Sequence, residues 1–106
     1  MSDHESRNVA GQFIAIGGLM AKIRNRKVDN DQRLKVIGIQ ISIDSLRQKL
    51  FEIDGERLKG IDVTDRLLTL RQVLHRLETS LSSCLAAPDD GQFGALLVTV
   101  EKVAKG

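Results

Sequence analysis

Residues 63–84 read VTDRLLTLRQVLHRLETSLSSC, and within them Val63, Leu67, Leu70, Leu74, Leu77, Leu81 and Cys84 recur at intervals that alternate between four and three. This rhythm keeps one apolar stripe along one side of an α-helix, so the segment reads as a long helix packed against others. Two stretches upstream repeat it. Val9, Phe13, Ile16, Met20 and Ile23 form one ladder, with Ala10, Ile14 and Ala21 beside it. Val36, Ile39, Ile43, Leu46, Leu50 and Ile53 form the other, flanked by Leu34, Ile37 and Ile41.

Boundaries follow from capping chemistry and breakers. Ser2 and Glu5 match a capping box, which starts the first helix and carries it to about Lys27. Val28-Asp29-Asn30-Asp31 is a polar turn with capping oxygens, and the second helix follows from about Asn30, its first turns supported by Asp31 and Lys35. A strand competes here, because Ile37, Ile39, Ile41 and Ile43 alternate with Gly38, Gln40 and Ser42. The helix is preferred because its ladder continues through Ile53, whereas the alternation stops at Asp44. Gly55 and Gly60 loosen the next connection, and Asp62 or Thr64 caps the third helix, which runs to about Ala87, before Pro88.

After the break Pro88-Asp89-Asp90-Gly91, Phe93, Leu96, Val100 and Val103 mark a shorter last helix, with a strand over residues 96–100 as the alternative. The triplet Gly-Gln-Phe occurs at 11 and at 91, too short a match to establish a repeat. The expected fold is all-α: an antiparallel up-down helical bundle of three long helices plus a shorter C-terminal helix, in a single domain over residues 1–106.

Composition narrows the function classes. The chain has 106 residues, 3% aromatic and without Trp or Tyr, so the stacking surfaces usual in single-strand nucleic-acid binders are missing. Its net charge of +2 creates no strong overall field, which sends the search for electrostatic partners to local clusters. Cys84 stands alone, excluding an internal disulfide and favouring a reducing compartment. The longest uncharged stretch, Asn8 to Ala21, is too short and too polar for a membrane span, and Met-Ser-Asp-His-Glu lacks the early positive charge of a secretory signal. A cytoplasmic protein is expected.

Gly17, Gly18 and Gly38 form the first candidate site. In a hairpin turning near Val28 and Asp29 the three lie at one level, where close backbone approach would offset a cost of up to about 1 kcal/mol per mid-helix glycine. They would mark either tight helix packing or a groove for a partner helix or flat ligand. The second candidate is basic. Lys22, Arg24, Arg26, Lys27, Arg33 and Lys35 against Asp29 and Asp31 give +4 at the first hairpin, a site for phosphate-rich nucleic acid or nucleotide, or simply a solvated tip whose cations complement the end of helix one. The opposite turn, residues 52–65, carries −3, so the poles have opposite sign and could guide self-association.

No catalytic constellation, metal site or cofactor motif emerges. His4, His75 and Cys84 lack zinc-ligand spacing, and His75 with Glu78 reverses the Glu-x-x-His order of di-iron bundles. His75-Arg76-Leu77 resembles the start of the His-x-Leu-Lys-Gly motif of histidine phosphotransfer domains, which implies a phosphorylated histidine at 75. Glu78 stands where that motif has its lysine, and Thr79 where it has glycine.

The first two helices have more apolar surface than one neighbour can cover, so a homodimer or larger assembly is expected. The favoured function is a non-enzymatic interaction protein, an adaptor, inhibitor or chaperone-like regulator whose partner is another protein. A phosphate-directed binder using the basic hairpin is the alternative, and a phosphotransfer protein the third reading.

Overall fold

In the computed structural model, which describes the backbone of residues 2–105 and the side chains from Ser6 onward, four helices are joined by short turns. They are α1 (Ser2–Arg24), α2 (Asn30–Leu58), α3 (Thr64–Leu85) and α4 (Asp90–Lys105), and the described residues contain no strand. The Ser2–Glu5 capping box and His4 lie outside the described side chains.

The contested stretch of α2 is helical for a visible reason. Ile39 and Ile43 are buried while Ile37 and Ile41 are 50% and 62% exposed. A strand would have put all four on one face; the helix separates them into two pairs. Residues 96–100 are also helical, within α4.

The caps account for the ends. α1 stops at Arg24, three residues before the expected end, where Arg26 donates its backbone N–H to the Ile23 carbonyl in a tight closing turn. The α2 start is a reciprocal capping box: the Asp29 carboxylate accepts from the Gln32 backbone N–H at 2.8 Å, and the Gln32 side-chain oxygen accepts from the Asp29 N–H at 3.3 Å. α2 continues through Gly55, which the sequence had assigned to the connection. The turn is made by Gly60 alone, at φ 84°, a conformation that strains any residue with a Cβ. Asp62 accepts from both the backbone and the hydroxyl of Thr64, and these bonds hold its carboxyl below the ordinary range. α3 ends at Leu85, before Pro88.

The four helices close a ring in the order α1, α3, α4, α2, with α1 and α4 on a diagonal where their backbones do not approach closely. α1 packs most extensively on α3 rather than on its sequence neighbour α2. Gln12 reaches the Arg71 carbonyl and Arg26 the Cys84 carbonyl, so α1 and α3 run side by side in the same direction. Gln32 donates to the Asp90 carbonyl and pins the starts of α2 and α4 together. The core runs the length of this 48 × 20 × 19 Å rod, with Ile16, Ile39, Leu74, Leu77, Phe93 and Leu97 among its buried side chains. The whole 63–84 stripe lies within it.

Candidate interaction face

α2 bears two apolar stripes. The inner one, Val36 through Ile53, is buried in the core. The outer one is displaced from it by two residues, about 200° around the helix, which places it on the side away from the core. It comprises Leu34, Ile37, Ile41, Phe51 and Leu58, which are 67%, 50%, 62%, 64% and 80% exposed. Asp44, Gln48 and Gly55 occupy the intervening steps of the same three-four rhythm. The sequence reading placed Leu34, Ile37 and Ile41 beside the inner ladder but did not extend them to Phe51 and Leu58, because Asp44, Gln48 and Gly55 interrupt the outer row.

One end of this face widens into a cleft of about 610 Å³ between the end of α1 and the start of α2. Its floor is Ile23, Val28 and Val36, its outer wall Ile37 and Ile41, and Arg24, Lys27 and Arg33 stand exposed around it.

Of the six expected phosphate ligands, Arg24, Arg26, Lys27 and Arg33 line this cleft, and Lys22 and Lys35 do not. Arg26 is turned inward, donating to the Cys84 and Ala87 carbonyls at 3.2 and 3.3 Å with its guanidinium over the Phe93 ring. Arg24 donates to the Gln40 side chain at 2.9 Å. Lys35 is half-buried, with its charge felt by Glu101, and Lys22 is exposed outside the cleft. At the opposite pole Asp54 accepts from the Ser6 hydroxyl and Glu56 pairs with Arg66, whereas Glu52 remains exposed.

The glycine expectation needs correction. A Cβ placed on Gly17, Gly18 or Gly38 would meet nothing within 4 Å, so no backbone crosses closely at any of them. Nor do they share a level. Ser6 beside Asp54 and Arg24 beside Gln40 put Gly17 and Gly18 opposite positions between about 42 and 47, at least ~6 Å along the axis from Gly38. The assumed turn ignored how the two helices slide past one another once α1 docks on α3.

His75 is exposed, with Glu78 half-buried one turn further on. Cys84 is fully buried, and desolvation pushes its thiol up to about 11 despite the nearby Arg26. No group of three or more metal-ligating side chains occurs among the described residues, and no helix is long and apolar enough to cross a membrane. Compared with protein-family models, with curated proteins and with solved structures, the chain matches none.

Proposed function

We propose that this is a non-enzymatic helical interaction protein of the cytoplasm, acting as an adaptor, inhibitor or chaperone-like regulator by binding protein through the outer face of α2, and working as a homo-oligomer. The observation that carries this reading is the line of five large apolar side chains on the side of α2 away from the core. Scattered exposed apolar residues need no explanation, but five large ones kept in one phase at coiled-coil spacing along a single helix form a face suited to a second packing partner.

Replacing Phe51 by a photoreactive benzoylphenylalanine in the native host tests it. Saturable adducts to a protein chain that disappear with Ile41→Asp support the reading; irradiation that leaves only uncross-linked chain overturns it.

The alternative, a phosphate-directed binder, draws on Arg24, Lys27 and Arg33 around one cleft. It predicts an affinity for RNA or DNA that falls steeply with salt and is abolished by Arg24→Ala with Arg33→Ala.

A further inference from the structure

The outer stripe of α2 is palindromic in register. Leu34 and Leu58, Ile37 and Gly55, Ile41 and Phe51, and Asp44 and Gln48 are each equidistant from position 46. We infer that a second copy of this chain packs on this face antiparallel, α2 on α2, with the two-fold axis crossing at the level of position 46. The inference rests on the interaction reading above and names the partner and the register.

Each pair makes physical sense in that register. Ile41 meets the Phe51 position of the second copy, and by symmetry the contact occurs twice. Ile37, a bulky side chain, meets the Gly55 position, where there is none to displace. Leu34 meets the Leu58 position at both rims. Near the axis a carboxylate, Asp44, meets the amide of Gln48, which can donate to it.

The parallel alternative pairs every residue with itself. It would set Asp44 against Asp44, leave a gap at Gly55, and superpose two basic ends of +4 and two acidic ends of −3. Antiparallel packing instead lays each basic end beside an acidic one. Charge complementarity of this kind selects orientation and excludes the wrong one.

Sedimentation and paired cross-linking test the assignment. In a Cys84→Ala background, chains carrying Ile41→Cys are mixed with chains carrying Phe51→Cys and oxidised. The antiparallel register predicts the mixed disulfide in large excess over either self-pair; self-pairs in excess would establish a parallel dimer and overturn the assignment.

A wild-type chain monomeric at about 100 μM overturns the dimer outright. If that monomer still forms adducts to a different protein from position 51, the second-copy assignment and the homo-oligomer fail while protein binding through this face stands; if it forms none, both fail.

Discussion

The guanidinium of Arg26 lies 4.2 Å from the centroid of the Phe93 ring. The same group donates to the carbonyls of Cys84 and Ala87, so one side chain from the α1–α2 turn closes the end of α3 and covers the first core ring of α4. The last carbonyls of a helix have no partners within it, and a charged donor to them is worth about 1.5–3 kcal/mol when shielded from water. Arg26→Ala is therefore expected to lower stability by about 2–3 kcal/mol, which for a domain of this size lowers Tm by roughly 10 °C. Arg26→Lys keeps the charge but not the flat two-point donor, and should recover less than half of the loss. A thermal melt of Arg26→Ala that coincides with wild type would show that the staple contributes nothing.

Gln32 is the one buried polar side chain among the described residues, and it works at both ends. Its oxygen completes the capping box with Asp29, and its nitrogen donates to the Asp90 carbonyl at 3.1 Å. Gln32→Ala should cost about 1–2 kcal/mol in urea unfolding, and Asp29→Ala a similar amount. Because the two residues satisfy each other's amides, the double variant should cost at least about 0.5 kcal/mol less than the two single losses together. Strict additivity would mean that the box does not act as a unit.

Open space around Gly18 and Gly38 makes a prediction of opposite sign. Gly18→Ala and Gly38→Ala add a methyl group that meets nothing within 4 Å, and each should stabilise the fold by about 0.5–1 kcal/mol by restricting the unfolded chain. Gly60→Ala has equal room but a φ of 84°, and should destabilise by about 1 kcal/mol or more. Destabilisation by Gly38→Ala would reinstate a close approach at that level.

The helices were legible in the sequence because their apolar ladders are long, and the ladder that extends furthest decides the secondary structure. Val63 to Cys84 is buried throughout as its spacing requires. What the spacing could not convey was which helix lies beside which. Each stripe says that a neighbour exists without naming it, and the pairing of α1 with α3 is fixed by contacts such as Gln12 to Arg71 that are far apart in sequence. The error at the glycines followed from that gap, as did the treatment of Arg26 as a surface cation when its partners lie 58 and 61 positions away. The outer stripe of α2 was readable in principle, since Leu34, Ile37, Ile41, Phe51 and Leu58 keep one phase, but Asp44, Gln48 and Gly55 interrupt it.

Cys84 gives the fold a definite response to alkali. Burial raises its thiol from 9.0 to about 11, so the folded chain keeps a proton that the unfolded chain gives up. The stability this confers is complete below the ordinary thiol value and is lost as pH rises from about 9 towards about 11. Urea midpoints measured across that window should fall more steeply for wild type than for Cys84→Ala, the variant subtracting the contribution of the lysines; the chain has no tyrosine to complicate the comparison. Only the thiolate is nucleophilic, and the sulfur is enclosed, so a disulfide reagent near pH 8 should label the native protein orders of magnitude more slowly than the urea-unfolded chain, at a rate set by opening of the bundle. Equal labelling rates in the two states would place the thiol at the surface and contradict the packing of α3.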